Sequence, residues 1–171
     1  MTQRLSPPHP IPGVAAVIFR EGTQTAPEVL LIRRAKPPAA GEWSLPGGAV
    51  ETGERLRDAL AREVREEVQL DVLVGPLLEV VPLIQLDDSG ALAYHFIIFD
   101  FLCTLTPPFR EPTPSSDAAD AHWVSIRDLS QYQLSSVVLN VITKAQDRWS
   151  QTSSTVRVHD LARPDDLLPL S

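Results

Sequence analysis

One stretch, residues 47–70, limits what this chain can fold into more than any other: GGAVETGERLRDALAREVREEVQL. It opens on the flexible turn Pro46-Gly47-Gly48 and contains neither Gly nor Pro from Glu54 onward. Most residues over 55–68 are strong helix formers, and Glu51 and Glu54 sit where the positive end of a helix dipole favours carboxylates. A turn feeding a helix is therefore expected here. Glu54, Glu63, Glu66 and Glu67 are packed into it together with Arg62.

A charge run on a helix is usually a solvated face laced with ion pairs. Placing successive residues about 100° apart argues otherwise. Leu60, Ala61, Val64 and Val68 form an apolar stripe, while Arg55, Asp58, Arg65 and Gln69 fall on the solvent side. Glu63 and Glu67 lie within roughly a quarter to a third of a turn of the stripe's centre, with Glu66 just beyond. Carboxylates three and four residues apart repel one another, more so when half-buried. Holding them beside a core is the arrangement of a cation site. Oxygen ligands without a cysteine, with His only elsewhere, suit Mg²⁺ or Mn²⁺ better than Zn²⁺. Glu63 and Glu67, one turn apart, can share an ion; Glu66 can hold a second ion or a bound water.

The rest of the chain supplies a sheet for this helix. Residues 14–19 (VAAVIF) and 28–34 (EVLLIRR) read as buried strands, and 35–46 as a loop rich in Pro that carries Trp43 as a packing anchor. Residues 72–83 read as one or two strands broken at Pro76 and Pro82. The turn Asp87-Asp88-Ser89-Gly90 joins them in a hairpin to 91–105, the longest strand, expected at the centre of the sheet. A Pro- and Ser-rich acidic loop spans 106–120, a short strand 122–125, and a second helix 136–149, with Val137, Val138, Val141, Ile142 and Ala145 at helical spacing. The organisation expected is an extended lead-in over 1–12, one domain over 13–149 and a tail over 150–171, docked in part through Leu167, Leu168 and Leu170. The fold class is α+β, a mixed sheet with helices on its faces.

At 171 residues, with 43% hydrophobic residues, the chain can build one real core. A net charge of −7 argues against nucleic acid or an anionic membrane surface as a partner, and an anionic ligand would need bridging cations. Cys103 is the single cysteine, so neither an intrachain disulfide nor a thiolate metal cluster can form. No apolar run reaches the roughly 18–20 residues of a membrane span, and the N-terminus has no apolar signal core, so a cytoplasmic location is expected.

The 47–70 stretch resembles the Nudix box, written G-x5-E-x7-R-E-U-x-E-E-x-G-U with U aliphatic. Gly48, Glu54, Arg62, Glu63, Val64, Glu66, Glu67 and Leu70 fall on defining positions, and only the second glycine departs, replaced by Gln69. That position ends the helix, where Gly adopts the left-handed conformation most cheaply, so Gln there costs about 1 kcal/mol or less. The preceding LLIRRAKPPAAGEWSLPGG and the downstream HWVS before a helix are similar to the surroundings of that box.

The resemblance implies an α/β/α sandwich with a mixed sheet and Mg²⁺- or Mn²⁺-dependent hydrolysis of a nucleoside diphosphate linked to another moiety. It implies Glu63 and Glu67 as metal ligands, with Glu66 as a further ligand or water orienter and the Gly47 carbonyl as an additional one. Glu54 would pair with Arg62 and brace the loop against the helix. The general base would be a carboxylate of the 106–120 loop, Asp117 or Asp120. Arg33 and Arg34, with Lys36, are candidates for substrate phosphate. His95 and Cys103 read as residues of the sheet and its core. Substrate markers are absent: the proline that marks the ADP-ribose branch is not met, Pro76 and Pro82 both falling too early. The texture of GEWSLPGGAVETGE and the YHF-containing strand leans to ADP-ribose or a related nucleotide sugar. The alternatives are nucleoside triphosphates or, in another class, a module that binds a nucleotide without cleaving it. A homodimer accords with the ADP-ribose branch, although no residue marks it.

Overall fold

The computed structural model describes residues 7–22, 26–37, 39–115 and 117–160. Seven strands and two α-helices follow one another as β1 (Ile11–Arg20), β2 (Glu28–Arg34), β3 (Trp43–Ser44), β4 (Gly47–Ala49), α1 (Leu56–Val68), β5 (Val72–Leu86), β6 (Leu92–Leu105), β7 (Ala118–Ser125) and α2 (Ser136–Asp160). The sheet runs β3-β2-β1-β6-β5, with β4 paired to β1 and β7 to β2. β1 and β6 are parallel and the other pairings antiparallel, so the sheet is mixed as expected.

β1 is apolar from Ile11 to Phe19 because both of its faces are covered. Val14, Ala16 and Ile18, with Leu30 and Ile32, pack on Leu60, Val64 and Val68 of α1. Val17 and Phe19, with Val29 and Leu31, pack on Val141, Ile142 and Ala145 of α2. The helices thus close opposite faces of one sheet.

Several boundaries differ from the sequence reading for identifiable reasons. β1 starts at Ile11, inside the expected lead-in, because residues 11–18 pair with β6. β5 is continuous through Pro76 and Pro82. It is an edge strand, where a missing N–H costs no ladder bond, and bulges between Val74 and Leu77 and between Leu77 and Glu79 absorb the irregularity. Arg57 of α1 grips the carbonyls of Val74 and Gly75 at that bulge. Paired to β2, β7 extends back to Ala118, so Asp120 belongs to a strand and not to the acidic loop. In α1, Ala59 is buried and Ala61 only partly so. α2 continues to Asp160, past the expected end at 149. Leu167, Leu168 and Leu170 lie outside the described residues. No helix among the described residues is long and apolar enough to cross a membrane.

Candidate active site

β4 and α1 meet where the two glycines of β4 run beneath the glutamates. At Gly47 a β-carbon would collide with the carbonyl of Val14 on β1, so no other residue fits. At Gly48 a β-carbon would fall on the carboxylate of Glu63 itself. The first glycine therefore keeps β4 on β1, and the second leaves room for an acid from α1.

Glu67, one turn on, is 3% exposed, and its Oε2 accepts the Gly47 N–H at 2.8 Å. Burial pushes its carboxyl up to about 8, against the pull of that N–H and of Arg34; Glu63 and Asp117 push it further up. Glu66 is more exposed, and Arg62 Nη1 reaches its Oε2 at 3.2 Å. Flanking the carboxylates is a fork: Arg62 Nε and Nη2 donate to Glu54 Oε1 and Oε2, both at 2.9 Å. The same guanidinium donates to Glu63 Oε1 at 2.8 Å and to the Ala49 carbonyl at 3.2 Å. Arg62 holds the Glu54 carboxyl below its ordinary range, and Glu54 in turn raises Arg62. One arginine so ties the approach loop, β4 and two acids of α1 into a single unit.

The far end of α1 is stitched to the acidic loop. Ser115 N–H donates to the Glu67 carbonyl and Thr113 N–H to that of Val68, both at 2.9 Å, and Ser115 Oγ donates to the Glu66 carbonyl. These bonds satisfy carbonyls that a helix terminus leaves without partners. Gln69 takes the left-handed conformation expected of the missing glycine, with φ 58° and ψ 31°.

The loop stitching brings Asp117 toward Glu67, where it pairs with Lys36, while Asp120 turns to His122 Nε2 at 3.2 Å. Arg34 lines a cleft of about 410 Å³ that includes Gly47 and Gly48. Arg33 lies outside that lining and donates from Nε to the Gly41 carbonyl at 3.0 Å. Trp43 does anchor packing, with its ring 4.9 Å from His122 and 5.0 Å from Tyr132, and it also forms part of the cleft wall. Asp100 of β6 reaches the same cleft, a placement the sequence reading missed. The signal available was an acid in an otherwise apolar run, HFIIFDFL, on the side shared with Phe96 and Ile98.

Among the described residues no three acidic, His or Cys side chains are already gathered in ligating geometry. The donor set nevertheless fits a hard divalent cation. Glu67 is buried and charge-frustrated by Glu63, and backbone packing leaves Glu63 the space above Gly48.

The NUDIX domain family matches residues 9–144, so this chain belongs to the Nudix family of hydrolases. It is 37% identical over 116 residues to putative nudix hydrolase 1 of Caenorhabditis elegans, a match that takes in 67% of this chain but only 29% of the worm protein. It is 38% identical over 104 residues to the nucleoside triphosphatase NudI of Escherichia fergusonii, covering 55% of this chain and 69% of that protein. The NUDIX domain of Shewanella oneidensis NrtR, solved with ADP ribose, superposes with a TM-score of 0.66 at 22% identity, over 82% of this chain and 89% of that one. That last likeness is one of fold.

Proposed function

We propose that this protein hydrolyses the pyrophosphate bond of a nucleoside diphosphate linked to another moiety, with Mg²⁺ or Mn²⁺ as the resident cation. The observation that carries this reading is the seat of the Glu63 carboxylate over Gly48, beside buried Glu67 and the Arg62–Glu54 fork. Glu63, Glu67, Glu66 and the Gly47 carbonyl would hold the cation. Bound there, it neutralises pyrophosphate oxygens and lowers the pKa of a coordinated water. Arg62 and Glu54 keep the carboxylates in place as positioning residues. Arg34, on the cleft wall, meets substrate phosphate; Arg33 would reach it only by leaving Gly41. Asp117, close enough to Glu67 to influence its charge, takes the proton of the attacking water.

The substrate we favour is ADP-ribose or a related nucleotide sugar, which a cleft of this size can hold on its apolar walls. A second reading, a nucleoside triphosphate, draws on the 38% identity to NudI. The retained box carboxylates disfavour a sensor that binds without cleaving. We take residues 13–149 as the catalytic unit. Nucleoside monophosphate release from a panel of ADP-ribose, nucleotide sugars and nucleoside triphosphates with Mg²⁺ tests the proposal. Turnover of at least one member is expected, and binding without turnover throughout would overturn it in favour of the sensor.

A further inference from the structure

Asp100 is a nearly buried carboxyl in the wall of the cleft, with no hydrogen-bond partner among the described residues. Along β6, Phe101 and Cys103 pack toward α1, whereas Asp100 and Leu102 belong to the opposite side, with Phe96 and Ile98 on the cleft. Asp100 is 4% exposed and makes no hydrogen bond or ion pair among the described residues. Across the sheet its register partners are Ala15 on β1 and Glu79 on β5, and Glu79 is engaged by Lys144 of α2. Burial alone lifts the Asp100 carboxyl to about 7. A carboxyl so far buried that only the cleft can satisfy it costs stability, and such departures from a well-satisfied core collect where a ligand supplies the missing bond.

The cleft around it has a definite character. Its walls include Trp43, Leu45, Phe96, Ile98, Val138 and Val141, and the Gly47-Gly48 segment beneath Glu67 and Glu63 lines it too, Gly47 and Asp100 standing on either side of Ala15 of β1. A ligand with its pyrophosphate at those glycines can lay its far end between apolar and aromatic walls toward Asp100, the one lining acid that is buried, Glu42 being exposed. A flat ring carrying an N–H donor matches that surface, whereas a polyol would leave its hydroxyls against hydrocarbon.

We propose that Asp100 is a specificity-determining residue that accepts a hydrogen bond from the amino group of the substrate's nucleobase, held in the apolar cleft. The enzyme then favours adenine, cytosine or guanine nucleotides over counterparts lacking that amino group. This rests on the hydrolase reading for the placement of the pyrophosphate.

The test is kcat/KM with Mg²⁺ for matched pairs that differ at the amino group, cytidine against uridine nucleotides and adenosine against purine riboside nucleotides. A hydrogen bond to a charged or proton-sharing carboxyl corresponds to a preference of about tenfold or more for the amino member. Asp100→Leu should bring the ratio close to one through loss on the amino member alone, with the deamino member turned over within a few-fold of wild type. Asp100→Asn, which adds a donor, should move the ratio toward uridine. A wild-type ratio near one, or a ratio unchanged in both variants, overturns the assignment. If the wild type turns over no member, the hydrolase reading falls. The dissociation constants of the same pairs, measured for wild type and both variants, then decide Asp100 by the same ratio.

Discussion

The carboxylate of Glu63 rests against the bare α-carbon of Gly48, in the space any side chain at that position would occupy. The two residues come from different elements, β4 and α1, and Gly48 cannot gain a side chain without moving the Glu63 carboxylate. Gly48 is needed for this approach rather than for its backbone angles.

Gly48→Ala should therefore displace Glu63 while β4 keeps its pairing to β1. Shifts of about 1 Å at reacting groups cost on the order of 10²-fold in rate. We expect Mg²⁺-dependent turnover to fall by about that factor with the circular dichroism spectrum unchanged. Turnover equal to wild type would show that Glu63 does not work from this seat.

The Arg62–Glu54 fork predicts a loss in cation affinity rather than in fold. Residues that orient metal ligands cost roughly 10- to 100-fold in affinity when removed. Mn²⁺ titrations of Glu54→Gln and Arg62→Ala should each weaken binding within that range. Because the two side chains act as one unit, the double variant should be little worse than either single one. Additive losses would mean that they act separately.

Much of this was legible before any coordinates, because cation chemistry demands particular residue types at particular spacings. Glu63, Glu66 and Glu67 carry their helical phase in the sequence, and Gln69 declared its left-handed turn by standing where a glycine belongs. What stayed hidden depends on contacts between distant segments. Pro76 and Pro82 look like strand breakers until β5 is known to be an edge and Arg57 to hold its bulge. The acidic loop gave no sign of its bonds to the end of α1, nor Asp120 of its pairing in β7. Asp100 sits in a run apolar on both sides of the strand, so alternation could not say which face it served.

Gln69 offers a test of stability alone. Its backbone is left-handed, and its N–H closes on the Arg65 carbonyl at 3.0 Å. Gln69→Gly should stabilise the protein by up to about 1 kcal/mol, a rise in Tm of about 2–4 °C for a chain of this size. A lower Tm would contradict the cost assigned to that position.

Asp100 predicts a pH dependence with a definite sign. Its carboxyl holds a proton to about 7 when folded and releases it near the ordinary 3.8 when the chain unfolds. Between those values the folded state binds more protons, so this group's contribution to stability is present at the acid end and is lost as pH rises through 7. Urea midpoints of wild type and Asp100→Leu should therefore diverge from pH 4 to pH 7.5, the variant becoming the relatively more stable. Parallel curves would show that the carboxyl is satisfied within the fold.

The central claim is that the carboxylates of α1, buried Glu67 foremost, hold the cation that makes hydrolysis run, and Glu67→Gln tests it most directly. Glutamine keeps the size and can still accept the Gly47 N–H, so circular dichroism and Tm should report an intact fold. With Mg²⁺ and a substrate that the wild type cleaves, we predict that the variant's turnover is abolished. A rate within about tenfold of wild type would contradict the account.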